Sequence, residues 1–139
     1  MKKIFILLYI IPFFIQAQTT NTWQLLFNKK VVLKGDVGEM KSYKVSPKNI
    51  GHITIKHFSN DANKSFDKNI IIMDTNRVEV FRKPLKKNES GMLFSKKNFD
   101  SKIFSKPLIV YILSIPADKK IAAAIKVAPV ALVKLIPKN

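Results

Sequence analysis

The spacing of the apolar runs is the feature that most restricts what this chain can fold into. From Trp23 onward the runs are short, rich in Ile, Val and Phe, and separated by Asn, Asp, Gly, Ser or Pro. Turn residues that recur about every 8–12 residues between such runs are typical of antiparallel sheets. The pattern therefore predicts an all-β fold, a single antiparallel β-sandwich of about seven or eight strands.

The clearest local prediction is a hairpin in the middle of the chain. Residues 70–73 and 78–81 are apolar runs, and Asp74, Thr75 and Asn76 follow the first of them. Asp and Asn tolerate the backbone angles of a tight turn, so they favour a hairpin here. Further strands are predicted at 23–27, 31–34, 42–46 and around 53–55.

The second half of the chain predicts one central strand and a composite tail. Residues 108–113 are apolar on both faces, as in a strand covered on both sides. Residues 83–106 are irregular and predict a long loop with a short strand or helical turn. For the tail we expect a helical turn at 121–125 and a last strand that pairs with 108–115, with Pro129 at a bulge or edge.

The first 17 residues have the layout of a secretory signal peptide. Lys2 and Lys3 precede an apolar run from 4 to 15, and Ala17 offers a small residue for cleavage. A membrane anchor is the competing interpretation, but a helix of that run would be about 18 Å long, against a hydrocarbon core of about 30 Å. We therefore expect residues 18–139 to be the exported domain, periplasmic or secreted.

Length and cysteine content set further limits. A chain of 139 residues is of single-domain size. Because it contains no cysteine, zinc fingers, thiol redox centres, iron–sulfur sites and cysteine nucleophiles are excluded. An anchored lipoprotein is excluded for the same reason, and apolar packing must stabilise the domain without disulfides.

No residue pattern points to catalysis, a metal or a cofactor. His52 and His57 are five apart, which places them on opposite faces of a strand. Most carboxylates lie in turn-like segments, and Glu79 is expected to be a solvated cross-strand partner of a Lys. Neither a Gly-rich phosphate motif nor a G-x-S-x-G elbow occurs. We therefore predict a protein that is not an enzyme and assign no catalytic residue, metal ligand or cofactor.

The basic charge is the main quantitative anomaly. The chain has 25 Lys plus Arg against 9 Asp plus Glu, a net charge of +16, and Arg77 and Arg82 are its two arginines. Such a charge favours anionic partners such as envelope glycans or lipopolysaccharide. Specific nucleic-acid recognition is not expected, since Arg, the usual bidentate reader of phosphate, is rare here. A lysine-rich composition without any binding role, as a genome poor in G and C would produce, is the preferred interpretation of the charge.

If the charge is functional, the predicted anion-binding residues are the densest lysine cluster, in the irregular stretch: Lys83, Lys86, Lys87, Lys96 and Lys97. A second possible contact is the tail, an apolar run that could lie on a membrane as an amphipathic helix. Five lysines are interspersed in this run: Lys119, Lys120, Lys126, Lys134 and Lys138. Pro129 argues against a continuous helix, so a core strand is preferred there. No transmembrane segment is expected in the mature chain.

Two segments of the chain resemble a known group of proteins. Residues 23–30, Trp-Gln-Leu-Leu-Phe-Asn-Lys-Lys, and residues 111–118, Tyr-Ile-Leu-Ser-Ile-Pro-Ala-Asp, are similar to a group of small exported β-sandwich proteins of Gram-negative bacteria. The resemblance implies an exported sandwich and no particular activity. Together with the charge, it leads us to expect a binding or interaction module, and the alternative is a small periplasmic hydrolase or glycan-active enzyme.

Overall fold

The structure, a computed structural model, describes residues 21–59, 66–85, 91–93 and 103–138. Strands dominate these residues. They are β1 (Asn21–Phe27), β2 (Lys30–Asp36), β3 (Lys41–Val45), β4 (Ile53–Ser59), β5 (Phe66–Asp74), β6 (Glu79–Leu85), β7 (Gly91–Leu93), β8 (Leu108–Pro116) and β9 (Val130–Pro137). One helix, α1 (Lys119–Ala124), and two 3₁₀ segments, Pro47–His52 and Ile103–Ser105, complete this part of the chain. The predicted signal segment lies outside the described residues.

The strands form two sheets. A four-stranded sheet has the order β2-β1-β4-β7, and a five-stranded sheet has the order β3-β9-β8-β5-β6. The strand pairs are antiparallel except for β3 with β9, which is parallel. The predicted all-β class is thus confirmed, with nine described strands where about seven or eight were expected.

The parallel pair corrects the purely antiparallel prediction. Local turns constrain β1 with β2 and β5 with β6 to run antiparallel, because a short loop reverses the chain. β3 and β9 come from opposite ends of the chain, so no turn sets their relative direction. Tyr43 lies beside Leu135 in this pair, a contact that hydrophobic periodicity alone does not predict.

The predicted hairpin is confirmed, and the strands predicted at 23–27 and 31–34 form a second one. β1 and β2 are joined by Asn28 and Lys29, whose φ angles of 48° and 66° suit the two-residue turn that matches strand twist. Between β5 and β6, Oδ1 of Asp74 accepts hydrogen bonds from the backbone N of Asn76, at 2.8 Å, and of Val78, at 2.9 Å. The Asp side chain therefore holds this turn, as its position in the sequence suggested.

One apolar core collects buried side chains from both sheets. Trp23 and Leu25 of β1 and Ile55 of β4 belong to it, together with Ile72 of β5 and Val110 of β8. β8 lies between β9 and β5, and Leu113, which is not part of that core, is also buried. The prediction that 108–113 form a central strand is therefore confirmed.

Two details of the second half differ from prediction. Pro129 precedes β9, and β9 is an interior strand, so the proline is at neither a bulge nor an edge. β6 extends through Lys83 and Pro84 to Leu85, where an irregular loop was expected. Pro84 is tolerated because β6 is the outermost strand of its sheet, where a missing N–H breaks no interior ladder. The helical turn and the last strand pairing with β8 are confirmed.

Candidate functional site

The predicted lysine cluster is described only at Lys83. This residue lies in β6 opposite Ile70 of β5, half-buried, on the same side of the strand as the core-packed Phe81 and Leu85. Its place in an edge strand differs from the exposed loop that the sequence suggested. Lys86, Lys87, Lys96 and Lys97 lie outside the described residues, so a shared patch stays a prediction.

The two histidines lie in different elements. His52 ends the 3₁₀ segment, is exposed, and makes an edge contact with the Phe27 ring at a centroid distance of 6.3 Å. His57 lies in β4, buried, opposite Trp23, and its Nε2 is 2.5 Å from Oδ1 of Asn21. The prediction that both belong to one strand is therefore wrong, because the 3₁₀ segment precedes β4.

Glu79 has a partner other than the predicted Lys. It begins β6 and forms a two-bond ion pair with Arg82, whose Nε and Nη2 donate to Oε1 at 2.8 Å and to Oε2 at 3.0 Å. These hydrogen bonds, together with the positive charge of Arg82, lower the pKa of the Glu79 carboxyl. Both side chains are exposed, so the pair is a surface contact of the sheet edge.

A different set of polar residues surrounds an open groove of about 330 Å³ on the four-stranded sheet. The groove lies along β1 and β2 and reaches the start of β3. Its lining residues are Thr22, Trp23, Gln24, Lys34, Gly35, Asp36, Glu39 and Lys41. Both signs of charge, an amide and a hydroxyl therefore meet in one place.

The strand register explains why these side chains share one surface. Gln24 of β1 lies opposite Lys34 of β2 on one side and Lys56 of β4 on the other. Directly opposite residues of an antiparallel pair point to the same face, so these three form one row across the sheet. The alternate positions Trp23 and Leu25 are fully buried in the core. We call the side that carries the row the outer face of the four-stranded sheet.

A second row lies beside the first on the outer face. Thr22 of β1 is opposite Asp36 of β2 and Phe58 of β4. The Phe58 ring is 39% exposed. An aromatic surface therefore lies on the same face as the lysines, two residues along β4 from Lys56.

The loop between β2 and β3 completes the groove. Nζ of Lys41 donates a hydrogen bond of 2.7 Å to the backbone oxygen of Lys34, which holds the ammonium group beside β2. The backbone N of Glu39 bonds the oxygen of Asp36 at 3.1 Å. Gly38 turns the chain between them with a φ of 102°, which L side chains rarely adopt.

The charges of Lys34 and Lys56 on the outer face, and of Lys41 beside the groove, are not cancelled by ion pairs among the described residues. Where both partners lie within residues 21–59, 66–85, 91–93 and 103–138, the one ion pair is that of Arg82 with Glu79. Lys34, Lys41 and Lys56 are therefore able to donate to an anionic ligand, since an ammonium group carries three donors. The exposed carboxylates of Asp36 and Glu39 can accept hydrogen bonds from ligand hydroxyls.

Sequence reasoning missed this groove. The alternation of Thr22, Trp23, Gln24 and Leu25 does indicate that one face of β1 is polar. Which lysines lie beside Gln24 depends on the registers of β1 with β2 and with β4. Those registers include a bulge between Leu25 and Leu26, which the residue pattern does not reveal.

Within the described ranges, no group of three or more His, Asp or Glu residues is placed to hold a metal ion. No helix in the same ranges has the length and apolar character needed to cross a membrane. The chain matches no protein-family model, no curated protein and no solved structure.

Proposed function

We propose that this protein is an exported, non-enzymatic binding module that holds an anionic glycan of the cell envelope on the outer face of its four-stranded sheet. The observation that carries the proposal is the row of Lys34, Gln24 and Lys56 beside the groove with Lys41. The proposal keeps the export expected from the first 17 residues and the resemblance to exported Gram-negative proteins.

The finer architecture is part of the same proposal. We propose that the two sheets stack face to face as a β-sandwich, because Trp23 and Leu25 of one sheet and Ile72 and Val110 of the other belong to one buried cluster. In that arrangement the outer face of the four-stranded sheet points away from the core. The groove would then be accessible to a polymer that runs across the strands.

The mixture of groups favours an acidic glycan over other polyanions. Lysines attract carboxylate, sulfate or phosphate groups as point charges. Gln24, Asp36 and Glu39 supply hydrogen-bond partners for hydroxyls. The exposed ring of Phe58 offers an apolar surface to one face of a sugar. A nucleic acid strand is usually bound by successive aromatic side chains that stack on its bases and by arginines that pair with its phosphates. Among the described residues that line the groove there is no arginine, and the one aromatic residue, Trp23, is fully buried.

The test measures binding of the purified protein to polygalacturonate, a polyanionic glycan, with neutral dextran and single-stranded DNA as comparison ligands. We expect salt-sensitive binding to polygalacturonate and none to dextran. The variant K34Q/K41Q/K56Q should weaken it by about tenfold or more, since each lost contact with a charged group is worth about 1.5–3 kcal/mol when fully formed and less on an exposed surface.

The matched control removes three exposed lysines elsewhere, as K48Q/K106Q/K138Q. It lowers the net charge equally and should weaken binding much less. Equal losses in the two triple variants would refute a specific site, and tighter binding of single-stranded DNA than of polygalacturonate would refute the glycan as the ligand.

One observation favours a second candidate, a glycan-active hydrolase. Asp36 and Glu39 line the same groove, and glycoside hydrolysis uses a pair of carboxyl groups. A general acid needs an environment that keeps its carboxyl protonated, usually a dry one. Both residues are exposed, so binding is the better-supported function. Release of reducing ends from polygalacturonate that D36N/E39Q abolishes would establish the hydrolase instead.

A further inference from the structure

A second surface, remote in sequence from the groove, is formed around α1. None of the residues of α1 is buried. Ile121 is 47% exposed and Ile125, which follows the helix, is 51% exposed. The backbone N of Ile125 bonds the oxygen of Ile121 at 3.1 Å, so the two lie one helical turn apart. Two branched apolar side chains are thus presented to solvent by one short helix.

Lysines surround these isoleucines. Lys119 and Lys120 begin α1, Lys126 follows Ile125, and all three are exposed. The one acidic residue within 117–129 is Asp118, whose Oδ1 accepts the backbone N–H of Lys120 at 2.9 Å as the helix cap. The segment therefore presents apolar and cationic groups together, with a net charge of +2.

A third apolar residue lies at the same end of the five-stranded sheet. Phe66, at the start of β5, is opposite Pro116, the last residue of β8, and is 42% exposed. Asp67 and Lys68, which follow it, balance each other in charge. Phe66 thus adds an exposed aromatic ring at the end of the sheet from which the chain continues into α1, and the charges that follow it cancel.

We infer that the α1 surface, defined as Phe66, Lys119, Lys120, Ile121, Ile125 and Lys126, is a contact site for the anionic headgroups and outer acyl region of a lipid bilayer. Apolar side chains that enter the interface, rimmed by lysines that meet lipid phosphates, are the mode of attachment of peripheral membrane proteins. Charge complementarity selects this occupant. A second copy of the chain would bring the same lysines face to face, which opposes self-association.

The attachment this surface supports is weak and reversible. Three side chains, each already partly buried, contribute far less apolar contact than a spanning helix. Each lysine near an anionic membrane adds about a fivefold gain in affinity. The site does not use Lys34, Lys41 or Lys56, so it stands independently of the proposed glycan groove.

The experiment is co-sedimentation of the full chain with large vesicles of phosphatidylcholine, with and without phosphatidylglycerol. We expect binding to the anionic vesicles alone and a loss of about tenfold or more for I121S/I125S and for K119Q/K120Q/K126Q. The control V31S/V32S changes two residues of similar exposure on β2 and should bind as the parent chain does. Inorganic phosphate at matched concentration should not displace the protein, which distinguishes a bilayer from free phosphate.

Loss of binding in a variant could also result from misfolding, so a second variant, I121W, gives a positive signal on binding. Trp emission of I121W should shift to shorter wavelength on anionic vesicles, because the indole enters the interface. Unchanged vesicle binding by I121S/I125S would overturn the inference. The inference would also be overturned if K34Q/K41Q/K56Q, and neither of the α1 variants, abolished vesicle binding. It would be overturned as well if the parent chain self-associated and I121S/I125S removed that self-association. The outcome of the glycan-binding assay is independent of this experiment, because that assay depends on Lys34, Lys41 and Lys56.

Discussion

The indole of Trp23 lies directly over Gly35, its partner on the neighbouring strand. A Cβ built on Gly35 would be 2.9 Å from Cζ2 of Trp23, closer than carbon atoms approach without strain. The same indole donates from Nε1 to the backbone oxygen of Asp36 at 3.2 Å. The ring is thus fixed at both its face and its edge, directly beneath the strands that carry the groove.

We predict that Gly35→Ala destabilises the protein. Trp23 is fully buried, so the ring has no free space into which it can move away from the new methyl group. Overpacking of this kind costs about 1–3 kcal/mol, which urea unfolding would measure. The control Val32→Ala, at an exposed position of the same strand, should change the free energy of unfolding by less than about 0.5 kcal/mol. Equal effects of the two substitutions would show that the ring adjusts freely.

We predict a larger loss for Val110→Ala. Val110 is fully buried in β8, between Ile72 of β5 and Val133 of β9. Removal of its two methyl groups leaves a cavity that the flanking strands cannot close, at a cost of about 1–4 kcal/mol. Val78→Ala, in an exposed turn, is the matched control. A loss of a few tenths of a kcal/mol for Val110→Ala would contradict a core role.

The position of β8 shows what the sequence can predict. Continuous apolar character from 108 to 113 predicts a strand in the interior of a sheet, and β8 does lie between β9 and β5. Val110 and Ile112 are in the core, and Leu113 is buried outside it. Asp74 likewise predicts the turn that follows it, because its carboxylate accepts hydrogen bonds from the backbone N–H groups two and four residues later in the chain. In both cases the interactions that decide the structure are encoded within a few residues of the sequence.

The parallel pairing of β3 with β9 shows what it cannot predict. Tyr43 and Leu135 are far apart in the chain, and either strand direction would bury Val45 and Leu135. The same applies to the groove, where Lys34, Gln24 and Lys56 come together only through two interstrand registers. Long-range registers depend on packing of the whole domain, which one-dimensional periodicity does not contain.

We predict that Arg82→Gln raises the pKa of Glu79. The hydrogen bonds of Arg82, then its charge, lower that pKa in the folded protein. A carboxyl with a lowered pKa contributes stability above its unfolded pKa, and this contribution is lost as the pH falls through the folded value. Because both side chains of the pair are exposed to solvent, the effect on stability should be small. An NMR titration of the Glu79 side-chain carbon would follow it, and an identical midpoint in the variant would refute the pairing in solution.

We predict that export removes the first 17 residues. The lysines at 2 and 3, the apolar run and Ala17 are the parts that signal peptidase substrates require. Intact mass spectrometry of protein recovered from the envelope should therefore give an N-terminus at or near Gln18. Ala17→Leu should slow this processing, because a bulky side chain does not fit the cleavage subsite. Exported protein that retains Met1 would refute the assignment.

We predict finally that the two lysine sets differ in their effect on salt dependence. Release of counterions makes affinity fall with salt in proportion to the number of cations that contact the polymer. If three lysines of the groove contact the polymer, raising the salt concentration from 50 to 200 mM should weaken polygalacturonate binding by about tenfold or more. This figure allows for the lower charge density of polygalacturonate, compared with the nucleic acids for which the relation was derived. The variant K34Q/K41Q/K56Q should flatten that slope. The variant that changes Lys83, Lys86, Lys87, Lys96 and Lys97 to Gln should leave it closer to the parent's, although it removes more charge. A steeper loss in the five-lysine variant would move the binding site to the cluster that the sequence suggested, and equal losses per charge removed would mean that only the lysine-rich composition matters.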